Sequence, residues 1–177
     1  MLIRISALFA ALVFFAGCSF PPLAQNPDEY RKQVISMPGK MSHYSYVVNR
    51  PFNKVTKVVQ KKAQQCLRKK FTRTNCTKHG FSTNCQDYHT YYMPKTKGNS
   101  KKMVLTMQMR IDNAIHLGGK PPPKDGFYSN VIDFEPAGKK KTKITVYTVK
   151  DHYNHTPNAV KHWAKGTNMG CPKLDGM

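Results

Sequence analysis

The sequence predicts an α+β fold: a curved antiparallel sheet packed on a long N-terminal helix and a short C-terminal helix, stapled by disulfide bonds. Two periodicities and the cysteine content predict it. Apolar residues recur every three or four positions over residues 51 to 71, which indicates an amphipathic helix. Apolar and polar residues alternate over residues 103 to 111, 128 to 134 and 142 to 149, which indicates strands.

A strand followed by the long helix is predicted at the start of this fold. Residues 42 to 48 alternate and form the first strand. Pro51 suits the first position of a helix, because a proline lacks the N–H group that is unsatisfied there. The helical positions that share one face are Val55, Val58, Val59, Lys62, Ala63, Cys66, Leu67 and Phe71. Cys66 on this buried face favours a structural disulfide over a reactive thiol.

The strand over residues 103 to 111 places five apolar residues on one face: Met103, Leu105, Met107, Met109 and Ile111. The three methionines suit an adaptable binding surface, but we favour packing against the helix. The next two strands are separated by the turn-forming residues 135 to 138 and three lysines. Tyr88, Tyr91 and Tyr92 indicate either one further strand over residues 80 to 93 or an exposed recognition cluster.

The last helix is predicted from its start and stop signals. Thr156 is a candidate N-cap, Pro157 suits the first helical position and Gly166 suits the residue after the last turn. The apolar face contains Ala159, Val160, Trp163 and Ala164, and Trp163 is the expected core anchor.

The first seventeen residues indicate an export signal. Arg4 precedes an apolar stretch from residue 5 to 15, which is shorter than the about 20 residues that span a bilayer. The segment Phe15-Ala16-Gly17-Cys18 resembles the lipobox of bacterial lipoprotein precursors. The resemblance implies that residues 1 to 17 are a signal peptide and that Cys18 is the lipid attachment site. An ordinary secretory signal is disfavoured, because Pro22-Leu23-Ala24 is a poor cleavage site.

Two consequences follow from this resemblance for organisation and location. Residues 18 to 40, rich in proline, are expected to form a lipidated tether, and residues 41 to 177 a single α+β domain. The localisation implied is the cell envelope. Ser19 resembles the sorting pattern of lipoproteins that are anchored to the periplasmic face of the outer membrane in hosts with two membranes.

The strongly basic composition predicts an anionic partner. Without residues 1 to 17 the chain has 28 Lys or Arg and 9 Asp or Glu, a net charge of +19 over 160 residues. An exported protein would meet phospholipid head groups, lipopolysaccharide phosphates, cell-wall polymers or acidic proteins rather than nucleic acid. The alternative is a solvated basic face without a particular ligand, because the charge is dispersed along the chain.

Four cysteines remain after Cys18, an even number in a compartment where disulfides persist. Three pairings are possible. We favour Cys76 with Cys85, which are close in sequence, and therefore Cys66 with Cys171. The order of elements over residues 42 to 170 resembles the helix-grip domains of envelope-assembly lipoproteins and of START-like ligand-binding proteins.

Neither a metal site nor a catalytic site is predicted. The best metal candidates, Cys76, His79 and Cys85 and then His152, His155 and His162, lack regular zinc spacing. The acids nearest to strand ends are Asp112, Asp133, Glu135 and Asp151, and the chain has neither a Gly-x-Ser-x-Gly segment nor a phosphate-binding glycine loop. We therefore expect no cofactor and no enzyme activity.

Two functions remain open at this stage. The first is a lipid-anchored, non-enzymatic envelope protein that acts as an interaction or accessory subunit through a basic surface. The alternative is a periplasmic carrier that binds a lipid or other apolar ligand between sheet and helix, in a cavity lined by residues such as Leu105, Met107 and Ile111.

The lipid anchor gives the first testable prediction. Substitution Cys18→Ala is expected to abolish labelling with radioactive palmitate and to leave the precursor uncleaved or the protein unattached, because the thiol accepts the lipid. Labelling and fractionation of cell membranes measure this. Normal cleavage with unchanged membrane retention would refute the anchor.

Overall fold

The fold is α+β, as predicted, with a six-stranded antiparallel sheet and three helices in the residues that a computed structural model describes, 22–112, 120–149 and 155–174. The sheet has the order β1-β6-β5-β4-β3-β2, so that β1 and β2 form its edges. The helices are α1 (Pro27–Ser36), α2 (Phe52–Cys66) and α3 (His155–Lys165). The strands are β1 (Met41–Val48), β2 (Lys69–His79), β3 (Ser82–Gly98), β4 (Met103–Ile111), β5 (Phe127–Pro136) and β6 (Thr142–Val149).

The main core lies on the face of the sheet that α2 and α3 cover. The predicted stripe on β4 is confirmed, because Leu105 and Met107 are each 1% exposed and belong to this core. Trp163 of α3 is also 1% exposed, and its Nε1 donates a hydrogen bond to the carbonyl of Met169 over 3.1 Å. Burial of a tryptophan with its polar group satisfied stabilises the fold. Trp163 is therefore a core anchor, as expected.

The predicted long N-terminal helix is wrong. The first described helix, α1, has 10 residues, and the 15-residue α2 follows β1 and ends at Cys66. Lys69 already begins β2, whose eleven residues pair with β3. Phe71 reaches the core from this strand and packs edge-on against Tyr92, with ring centroids 5.7 Å apart. Its helical spacing from Leu67 is therefore coincidental, and strand pairing determines its position.

Helix α1 covers part of the opposite face of the sheet. The side chains of Tyr30 and Val34 in this helix pack on Val131 of β5 and are 2% and 1% exposed. The Tyr30 hydroxyl donates a hydrogen bond to the carbonyl of Ser129 over 2.7 Å, and the Asn26 side chain caps the first turn. This helix lies within the segment assigned to the tether, so from Ala24 onward that segment packs on the domain.

The ends of α2 and α3 differ slightly from the prediction. Pro51 occupies the N-cap of α2 rather than its first helical position, and Thr156 lies inside α3, which begins at His155. Gly166 ends α3 with φ of +85°. The guanidinium of Arg50 donates to the carbonyls of Trp163 and Ala164 over 3.2 and 3.1 Å. A cation there satisfies the last carbonyls and complements the helix dipole.

Two disulfides join the cysteines in the favoured pairing. Cys66 at the end of α2 is bonded to Cys171 after α3, with Cα atoms 4.9 Å apart. Cys76 and Cys85 face each other on β2 and β3, with Cα atoms 4.0 Å apart. The first bond joins the end of α2 to the segment that follows α3, and the second cross-links a single hairpin.

The two bonds are expected to contribute unequally to stability. Loop-closure entropy gives about 4.8 kcal/mol for a separation of 105 residues and about 2.6 kcal/mol for 9 residues. The double variant Cys66→Ser, Cys171→Ser should therefore lose more free energy of unfolding than Cys76→Ser, Cys85→Ser in chemical denaturation. Equal losses would contradict this ordering.

Candidate functional site

A cleft of about 610 Å³ lies on the face of the sheet that α1 only partly covers. It is bounded by α1, by β3 and β4 with the turn that joins them, and by the loop before β5. The lining residues are Pro27, Asp28, Arg31, Lys95, Lys97, Gly98, Asn99, Lys102, Val104, Thr106, Gln108, Pro123, Asp125 and Tyr128. Four of them are cationic and two are acidic, so the lining itself is basic; Asp133 and Glu135, outside the lining, pair with Arg31 and Lys102.

Strand alternation places the floor of the cleft opposite the main core. Val104, Thr106 and Gln108 alternate with the buried stripe of β4. They therefore point to the face of the sheet opposite the main core, which is called the second face below. On β3, Lys95 pairs with Thr106 and Lys97 with Val104, and paired residues share a face. The register thus places two lysines side by side against an apolar and polar floor.

Arg31 forms the wall of the cleft on the α1 side. Its Nε and Nη2 donate to the two carboxylate oxygens of Asp133 over 3.0 and 2.5 Å. The side chains are 15% and 8% exposed, so the pair is largely shielded from water. Burial alone would lower the pKa of the Arg31 guanidinium, but the hydrogen bonds and charge of Asp133 outweigh it and the pKa is raised. Arg31 is therefore permanently cationic.

The remaining cations of the cleft are more accessible. Lys102 Nζ lies 3.4 Å from carboxylate oxygens of both Asp133 and Glu135, and its side chain is 45% exposed. Lys95 forms an ion pair with Asp125, and its side chain is 53% exposed. Lys97 forms no ion pair with any residue that the structure describes. Its ammonium group is thus available to an anionic ligand.

The basic surface continues beyond the cleft toward β2. The guanidinium of Arg110 lies 4.6 Å from the ring centroid of Tyr91, and Lys70 Nζ lies 5.4 Å from the same ring. Tyr91 pairs with Arg110 on one side and with Lys70 on the other. The second face therefore carries cations from α1 across β4 and β3 to the edge strand.

Residues that the sequence analysis grouped together as candidate sites lie in different environments in the structure. Tyr92 is 4% exposed in the core, whereas Tyr91 lies on the basic face. Leu105 and Met107, expected to line a carrier cavity, are core residues, and the cleft is lined by the alternate positions of β4. Cys18 of the lipobox-like segment lies outside the described residues.

The metal and acid candidates are dispersed as well. Cys76 and Cys85 are disulfide-bonded, His152 and Asp151 lie outside the described residues, and His162 Nδ1 is 3.1 Å from the Thr167 hydroxyl. Within residues 22–112, 120–149 and 155–174, no group of three or more side chains is arranged to hold a metal ion. Of the acids, Asp133 and Glu135 both form ion pairs with Lys102, and a carboxylate oxygen of Asp112 lies 3.5 Å from Arg110 Nε.

No family model matches the chain, and no curated protein matches it either. Among the described helices, none is long and apolar enough to cross a bilayer.

The shielded ion pair gives a stability prediction. Substitution Asp133→Ala should cost about 3 kcal/mol, because it leaves the shielded Arg31 with only the exposed carboxylate of Asp28. The matched variant Asp28→Ala removes the other carboxylate beside Arg31. The Asp28 side chain is 84% exposed, so its removal should cost about 1 kcal/mol or less. Urea unfolding measures both. Equal costs would show that Asp133 does not hold α1.

Proposed function

We propose that this protein is a lipid-anchored, non-enzymatic envelope protein that binds an anionic partner through its basic surface. The observation that carries the proposal is the convergence of Arg31, Lys95, Lys97 and Lys102 on one cleft. These residues come from α1, from β3 and from the turn after it, so tertiary structure concentrates a charge that is dispersed in sequence. Such a field attracts anions and raises their rate of association.

The short N-terminal segment supports a location close to a membrane. Packed residues begin at Ala24, and Pro27 and Asp28 already line the cleft. Ala24 follows Cys18 by six positions, a stretch that extends at most about 21 Å. A lipid on Cys18, in the outer membrane if the host has two membranes, would therefore keep the cleft close to the bilayer surface.

The proposed partner is an anionic component of the envelope, such as lipopolysaccharide phosphates, a cell-wall polymer or an acidic subunit of an assembly. Its anionic group would bind at Lys97, the one cation lining the cleft that forms no ion pair with a described residue. Gln108 and Thr106 at the floor add polar groups, and Arg31 supplies a fixed positive charge. Nucleic acid is not proposed, because an exported protein would not meet it.

The carrier is the second candidate, and the cleft rather than the core supports it. A volume of about 610 Å³ is within the range of small-molecule sites, and Val104, Tyr128, Pro27 and Pro123 give the cleft an apolar portion. A lipid with an anionic head group would match both portions. Recovery of a stoichiometric lipid from the purified monomer would favour the carrier, and recovery of a stable multiprotein complex would favour the subunit.

The test neutralises two lysines of the cleft. The double variant Lys95→Gln, Lys97→Gln should bind purified lipopolysaccharide or cell-wall polymer about thirtyfold more weakly, since each of the two exposed charges contributes on the order of 1 kcal/mol. The wild-type affinity should also fall as salt is added, because exposed charges are screened. Co-sedimentation at two salt concentrations measures both effects.

The matched control is Lys57→Gln, Lys61→Gln, which removes the same charge from the exposed side of α2 on the opposite face of the sheet. It should retain most of the affinity. If both double variants weaken binding equally, the interaction depends on net charge and the cleft is not the site.

A further inference from the structure

A hairpin arm extends beyond the rest of the sheet. The pairing of β3 with β4 ends at Thr90 and Ile111, and the Asp112 N–H donates to the carbonyl of His89. Within the part of the chain that the structure describes, which omits residues 113 to 119 after β4, the seven residues of β3 from Ser82 to Tyr88 pair only with β2. At about 3.4 Å per residue, this arm, defined as residues 73 to 88, is about 24 Å long.

The arm has no hydrophobic core of its own. Apart from its two cysteines and Phe81, its side chains between Arg73 and Gln86 are polar, and the described ones are exposed on both faces. An isolated two-stranded ribbon is marginally stable in water. The Cys76–Cys85 bond, three residue pairs from the last pair before the turn, compensates by cross-linking the strands. The bond thus holds the two strands of the arm together where packing does not.

The turn presents one large apolar side chain at the tip. Gly80 adopts φ of +61°, which a tight hairpin turn requires, and Phe81 follows it. Phe81 is 112% exposed, compared with 55% for Ile35 and 53% for Val47, the next most exposed large apolar side chains of the described residues. It therefore contributes nothing to the fold and has its whole surface available for a partner.

The charge of the arm limits the class of partner. Arg73 and Lys78 are cationic, and no acid occurs from residue 73 to 86. The nearest carboxylate, Asp87 at the base, accepts a hydrogen bond from the Thr74 hydroxyl over 2.6 Å. A second copy of this chain does not fit as the partner, because its cleft is also basic. An apolar tip with cations behind it suits the interface of an anionic bilayer.

We propose that the arm inserts Phe81 into the surface of an anionic lipid bilayer and that Arg73 and Lys78 bind the lipid phosphates. The inward-facing main-chain groups of the arm pair across the hairpin, whereas the outward-facing groups of both strands need water, so insertion is confined to the tip. This contact is additional to the proposed anchor and cleft, and it uses the anchor only to bring the arm close to the membrane.

The test places a tryptophan at the tip. The full protein carrying Phe81→Trp is purified from membranes and mixed with phosphatidylglycerol vesicles that contain brominated lipid. Emission of the new tryptophan should fall about twofold, because an interfacial side chain reaches about 5–10 Å into the boundary where bromine quenches. The native Trp163 is 1% exposed in the core, and the spectrum of the unsubstituted protein corrects for it.

Two controls make the result specific. Val47→Trp introduces the same side chain at an exposed position of β1, the opposite edge of the sheet, and should be unquenched. Adding Arg73→Gln and Lys78→Gln to the tip variant should reduce quenching, whereas adding Lys57→Gln and Lys61→Gln should not. Absence of quenching at the tip, as expected if the arm docks into a protein groove, would overturn the proposal. So would equal quenching at both tryptophan positions.

The same samples separate this inference from the proposed anchor. Mass spectrometry of the purified protein shows whether Cys18 carries acyl chains. Quenching at the tip of a protein without acyl chains would support the arm and contradict the anchor. An acylated protein with an unquenched tip would leave the anchor intact and contradict the arm.

Discussion

The ion pair between Arg31 and Asp133 holds α1 against the sheet, and the second face of the molecule depends on it. The apolar cluster under α1 is small, with Tyr30 and Val34 as its main helical members. A bidentate pair fixes both the position and the rotation of the helix, since guanidinium and carboxylate bind in one plane. Without it the cleft would lose one wall. Replacing a shielded pair by apolar residues is often neutral for stability, whereas removing one partner is costly.

The sequence predicted the elements whose pattern is set by one buried face. Helix α2 and strand β4 bury residues at periods of 3.6 and 2, and both were recognised. The sequence does not predict strand β2, for a different reason in each half of the strand. At its start, Phe71 continued the helical spacing by coincidence, and further on the arm is polar on both sides, so no periodicity marks it. Only pairing with β3 makes this segment a strand.

The cleft could not be predicted from the sequence, because its parts are far apart along the chain. Arg31 and Asp133 are separated by 102 residues, and neither position has a periodic signal that indicates its partner. The lysines looked dispersed in sequence. One local sign was present: Lys95 and Lys97 are two residues apart in a strand and therefore share a face. Which other residues share that face depends on the register between β3 and β4, which composition does not encode.

The Cys66–Cys171 bond also determines how the molecule responds to mechanical tension. In a chain held at its N-terminus and pulled at a residue beyond Cys171, the force passes through α1, β1 and α2, which can be extended in turn. At Cys66 the chain enters a covalent ring whose ends are 105 residues apart in sequence. The load then crosses the sulfur bridge to Cys171, so the residues between the two cysteines carry no tension. Strands β3 and β4, which carry most of the basic face, therefore lie outside the line of force.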